Sequence, residues 1–81
     1  MIYIVKINHN GQGNNLGVHS SKKKALDHYD IVVRHHLNHG GTINWESSRI
    51  VDCGGYKEIR QINISHPNSQ GIKVIIEAWN S

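Results

Sequence analysis

Ser20-Ser21-Lys22-Lys23-Lys24-Ala25-Leu26-Asp27-His28-Tyr29-Asp30-Ile31-Val32-Val33-Arg34-His35-His36-Leu37-Asn38-His39-Gly40-Gly41 decides the fold, because its apolar residues recur at helical spacing. Ser20 or Ser21 is a good N-cap, no glycine or proline interrupts the run to about Asn38, and Gly40-Gly41 stops it. At about 100° per residue, Ala25, Leu26, Tyr29, Val32, Val33, His36 and Leu37 share one arc, with Ile31 outside it. A single helix with one apolar arc needs a surface to lie on, and the remainder of the chain reads as strands.

Towards the N-terminus, Ile2 to Asn8 alternates, with Tyr3, Val5 and Ile7 on one face and Ile2 and Ile4 on the other. His9 to Asn15 is rich in turn residues, and Leu16 to His19 reads as a short returning strand. Beyond the helix, Thr42 to Glu46 and Arg49 to Asp52 are candidate short strands, and Cys53-Gly54-Gly55 marks a turn. The pattern does not set the arrangement of residues 42–57. Glu58 to Ser65 and Ile72 to Trp79 form a C-terminal hairpin about the turn His66 to Gly71. The expected fold is therefore α+β: one domain over residues 1–81, an antiparallel sheet of four to five strands with one amphipathic helix on one face, in the order β-β-α-β-β.

Two of these strands are apolar on both sides. The last one places Ile72, Val74, Ile76 and Ala78 on one side, while Ile75 and Trp79 join Lys73 and Glu77 on the other. One helix can cover only one face, so Ile2, Ile4, Ile75 and Trp79 are expected to form an association face, for a homodimer or for a protein partner. At 81 residues a single core is marginal, and help from oligomerisation or a partner is common.

A stretch of the N-terminal half, Gly17-Val18-His19-Ser20-Ser21-Lys22-Lys23-Lys24-Ala25, follows a tyrosine-bearing first strand and a loop. It resembles short phage and bacterial proteins whose second strand ends in Gly-Val-Phe-Ser-Ser before a Lys-rich helix. The resemblance covers about the first 40 residues, with His19 where an aromatic is usual. It implies the β-β-α-β-β order and a phage or mobile-element origin, and carries no activity.

The net charge of +3, from nine Lys and Arg against six Asp and Glu, favours an acidic protein surface or nucleic acid as partner. Seven histidines make the charge climb as pH falls through about 6.5. No apolar run approaches the roughly 20 residues of a membrane span, and Met1 to Lys6 lacks the features of a leader, so a membrane partner is not expected. With Cys53 alone, a cytoplasmic setting is expected, that of the host cell if the chain is phage-encoded.

Lys22, Lys23 and Lys24 stand in the first helical turn, where the macrodipole favours acids. Together with the free N-terminal amides they form a candidate phosphate or partner-binding corner, joined by Arg34. His28, His35 and His39 line one border of the helical arc as a candidate contact surface, and His36 lies mid-arc as a core histidine. His35 and His39 have i, i+4 chelating spacing, but no cysteine or carboxylate on that edge completes a set, so no metal or cofactor is expected.

Histidines and lysines are the residue types of a metal-independent ribonuclease, yet no nucleophile elbow, paired-carboxylate spacing or Walker loop accompanies them. Gly11-Gln12-Gly13 fails as a dinucleotide fingerprint because Leu16 replaces the third glycine. Trp45, Tyr56 and Trp79 are of the kind enriched at interface centres, with Tyr56 expected to be exposed. The expected function is that of a non-enzymatic interaction protein, with no catalytic residues, acting by steric blocking; the resemblance to phage proteins implies, by analogy, that it inhibits or modulates a bacterial host system as anti-CRISPR proteins do. The alternative is a nucleic-acid-binding module using Lys22 to Lys24, with or without histidine-dependent RNase activity.

Overall fold

In the computed structural model, which describes residues 1–80, the elements follow in the order β1 (Ile2–His9), β2 (Gln12–His19), α1 (Lys22–Asn38), β3 (Thr42–Ser47), β4 (Val51–Asp52), β5 (Tyr56–His66) and β6 (Ser69–Trp79). The strands form one antiparallel sheet in the order β2-β1-β6-β5-β3, with β4 also paired to β5. The α+β class with one helix on one face is as expected. The strand count is six rather than four or five, because residues 42–57 contribute both β3 and β4.

The N-terminal hairpin is longer than its composition suggests. Asn10 and Gly11 carry positive φ of 55° and 78°, so two residues close the turn and His9 pairs directly with Gln12. An Asn-Gly pair with both φ positive matches the right-handed twist of the flanking strands, and β2 therefore begins at Gln12 instead of Leu16. The C-terminal hairpin is tight in the same way. Its strands pair up to His66 and Ser69, and only Pro67 and Asn68 turn the chain. Of the stretch from Arg49 to Asp52, only Val51 and Asp52 pair, against Glu58 and Lys57. There Gly54, at φ 96°, donates its N–H to Asp52 Oδ1 at 2.9 Å, and Cys53 N–H donates to the Tyr56 carbonyl at 2.9 Å.

Ser21 caps the helix, its Oγ accepting the Lys24 N–H at 3.4 Å. The arc read from the sequence faces the sheet: Ala25, Tyr29 and Val33 are buried, with Leu26, Val32 and Leu37 packed at the margin. They meet Val5, Ile62, Ile64, Ile72, Val74 and Ile76 in one core. Gly41 lets the chain turn closely out of the helix, because a Cβ there would lie 2.6 Å from the His36 carbonyl oxygen and 2.7 Å from Ile64 Cγ2. Its N–H closes the end of the helix on that carbonyl at 2.9 Å.

Tyr29 ties the helix to the far edge of the sheet. Its hydroxyl donates to Glu46 Oε2 at 3.1 Å, and Arg60 reaches the same oxygen at 3.6 Å while its guanidinium lies 5.6 Å from the phenol ring centre. Burial first, and then the Glu46 carboxylate, hold the Tyr29 phenol well above its ordinary pKa.

The strands outreach the helix. Eleven residues of β5 or β6 span about 36 Å, whereas the 17 residues of α1 span about 25 Å. The helix thus leaves one whole face, and part of the other, without a second layer.

Replacing the fully buried Ile76 by Ala should cost about 2–5 kcal/mol in urea unfolding, through lost transfer energy and a cavity that the two hairpins cannot close. Tyr29→Phe, which removes one hydrogen bond and keeps the ring, should cost about 0.5–1.5 kcal/mol by the same measurement.

Candidate functional site

Strand alternation assigns the face away from α1. Along one cross-strand row lie Ile2, Trp79 and Tyr56, and along the next Val18, Ile4, Glu77, Glu58 and Val51. A third row holds Asn15, Lys6, Ile75, Gln61 and Ser47, and a fourth Asn8, Lys73, Asn63 and Trp45. This face is neither a second apolar core nor a plain polar surface.

Ile75 corrects the expected association face. It is only 2% exposed although no helix covers it, because it sits on the central strand between the long side chains of Lys6 and Gln61. It is sealed within one chain and cannot serve as a contact. Glu77, beside it, is 4% exposed, receives Lys6 Nζ at 3.6 Å and accepts from Trp79 Nε1 at 3.1 Å. The middle of the face is thus closed by a charged pair and an amide.

What stays accessible surrounds that centre. Ile2 is 37% exposed, Val18 63% and Val51 41%, while Ile4 and Trp79 are half-buried. Tyr56, expected to be exposed, is half-buried because its ring stacks on Trp79, with centroids 4.5 Å apart and planes 17° from parallel. The Tyr56 phenol is held above its ordinary pKa, first by Cys53 and next by Glu77. At the other end Trp45 is 45% exposed, with Lys73 Nζ 5.6 Å from its ring centre. Asn44 there donates to Asn63 Oδ1 at 2.6 Å and to Ser65 Oγ.

The basic residues belong to a different surface. Lys22, Lys23, Lys24 and Arg34 are exposed on α1, in the layer opposite the aromatic face, so they do not rim it as one continuous site. Lys23 is engaged with Asp27 at 2.9 Å. Lys22 and Lys24 flank the helix start, where the first turn carries no acidic residue.

Of the histidine border only His28 contacts the sheet, and a second contact comes from His36, which is half-buried rather than a core residue. His28 Nδ1 lies 2.9 Å from His19 Nε2 on β2, and His36 Nδ1 lies 3.2 Å from His66 Nε2 at the end of β5. In each, one ring must donate and the other accept, so the two facing nitrogens share a single proton. His35 and His39 are exposed, with His39 Nδ1 donating to the His35 carbonyl at 2.7 Å. The pairing partners His19 and His66 come from strands and carry no periodic signal relative to the helix, which is why the sequence alone does not reveal them.

At that end an open groove of about 530 Å³ is lined by His9, His36, His39 and His66 among others. A second hollow of about 110 Å³ lies beside Gly54, Gly55 and Tyr56. Exposed Cys53 contacts the Val51 carbonyl at 3.8 Å and has a place in the turn rather than in either groove. No helix among the described residues is long and apolar enough to cross a membrane.

No family model, curated protein or solved structure matches this chain.

Burial, and then the neighbouring His66, His35 and His39, push the His36 pKa below its ordinary value. A base depressed in the folded state contributes stability that is complete above about pH 6.5 and is lost as pH falls through the lowered value. The melting temperature should therefore fall between pH 7 and pH 5, and less steeply in His36→Gln. An equal slope in that variant would assign the loss to other groups.

Proposed function

We propose that this protein is a non-enzymatic binding module that acts through the face of its sheet away from the helix. The observation that carries the reading is the set of accessible apolar and aromatic side chains on that face, Val18, Ile2, Ile4, Trp79, Val51 and Trp45, around a closed, charge-paired centre. Aromatic anchors on a rigid sheet lose little conformational entropy on binding, and a paired centre avoids leaving an isolated charge desolvated.

The partner is a protein surface, and the effect is steric occupation of a site that another molecule needs. Taken with the likeness of Gly17 to Ala25 to short phage and bacterial proteins, the setting is a phage or mobile element, and the target a bacterial host system that the protein inhibits or modulates, in the manner of anti-CRISPR proteins. Self-association through the same face is the homodimeric form of this reading, and light scattering on the purified chain separates it from an external partner.

The alternative of nucleic-acid binding rests on Lys22 and Lys24 beside helix amides with no acidic residue in the first turn. It requires affinity for an oligonucleotide that falls steeply with salt.

The test is capture of a partner from host lysate, followed by affinity measurement with the purified pair. Trp45→Ala and Val18→Glu change exposed side chains and should each weaken binding by about 2 kcal/mol or more, the scale of an interface anchor. The double change Lys22→Glu, Lys24→Glu should leave it nearly unchanged. The reverse pattern would transfer the function to the helix.

A further inference from the structure

We propose that the groove at the C-terminal end of α1 binds one divalent transition-metal ion of the zinc class through His36 and His66, with His39 or His9 as third ligand. Four imidazoles line this groove, and no Asp or Glu stands among its described lining residues. Such a donor set suits zinc, copper or nickel and offers little to magnesium or calcium, which require oxygen ligands.

Three geometric facts support the assignment. The facing nitrogens, His36 Nδ1 and His66 Nε2, are 3.2 Å apart. Two nitrogens bound to tetrahedral zinc at about 2.0–2.1 Å stand about 3.3 Å from each other, so the spacing already matches a shared ion, and the two rings need only tilt until the nitrogens now facing each other aim at one point beside them. Neutral rings supply both lone pairs once the ring that donates in the metal-free pair carries its proton on its far nitrogen instead.

The second fact concerns His39. A carbonyl oxygen can only accept, so the 2.7 Å contact to His35 makes His39 Nδ1 the donor and leaves Nε2 of the neutral ring as a lone pair. That is the orienting contact that metal-binding histidines use. The third is the position of the ligands. His36 is on the helix, His66 closes β5 and His9 ends β1, so an ion here would fasten the helix end to both hairpins.

No three His, Cys, Asp or Glu side chains among the described residues already converge on one point. The spacing of the pair is therefore preset, and the third ligand arrives by rotation of the exposed His9 ring or by a pivot of the His39 ring about its contact to the His35 carbonyl. The other histidine contact, His19 with His28, is a control: its 2.9 Å pair lies at the opposite end of the helix, away from the groove.

The experiment is calorimetric titration of zinc chloride into the metal-free full chain at pH 7.5, with the imidazole resonances followed by NMR. One ion per chain should bind, shifting His36 and His66 and raising the melting temperature, while magnesium does neither. His36→Gln and His66→Gln should each weaken binding by tenfold or more, and one of His39→Gln and His9→Gln, both at exposed positions that do not threaten the fold, by about tenfold. His19→Gln should leave affinity unchanged. The proposal is overturned if zinc fails to bind below about 1 mM, if uptake is unchanged in either His36→Gln or His66→Gln, or if it is unchanged in both His39→Gln and His9→Gln.

Discussion

Burial of β6 on both of its faces is the constraint on which the rest of the structure depends. Towards the helix, Ile72, Val74 and Ile76 share one core with the apolar arc of α1, and Ala78 is buried between Tyr3 and Lys57 of the flanking strands. Away from it, Ile75 and Glu77 are equally withdrawn from water although no second layer exists. A central strand has hydrogen-bonded neighbours on both sides, and long side chains on those neighbours can close over it. Lys6 on β1 and Gln61 on β5 do this for Ile75, and the Lys6 ammonium then meets Glu77. The stems of amphipathic side chains can replace a missing layer in this way while their polar ends stay at the surface.

That solution leaves the molecule with two unlike sides. The helix side is basic and histidine-rich, with Lys22, Lys24 and Arg34 outward and two imidazole contacts joining α1 to β2 and β5. The open side is aromatic and amide-rich, with the Tyr56–Trp79 stack at one end and Trp45 under Lys73 at the other. Because the sheet separates them, charge on the helix and anchors on the open face belong to different contacts. The protein face we propose and the metal groove are likewise on opposite layers, so each can be altered without the other.

Much of the architecture was legible because it rests on local rules. Ser21, the uninterrupted run to Asn38 and the glycines after it set the helix to within a residue or two, and its buried arc follows from spacing alone. The Asn10-Gly11 turn was also written in the sequence as the strongest short hairpin signal, but the surrounding glycines and asparagines gave it the composition of a long loop. Residues 42–57 could not be resolved from pattern, because a bulge between Ile43 and Trp45 breaks the alternation and β4 is only two residues long.

By itself the sequence determined the α+β class, the single helix with its cap and its buried face, the two-sided character of β1 and β6, and the supply of histidine, lysine and tryptophan. Each of these follows from spacing along one segment. Only the tertiary structure decided strand order, the sealing of Ile75, the separation of the lysines from the aromatic face, and the meeting of His36 with His66. Those depend on which residues stand opposite each other across strands and layers, and register between segments 30 residues apart is settled by the packing of the whole core.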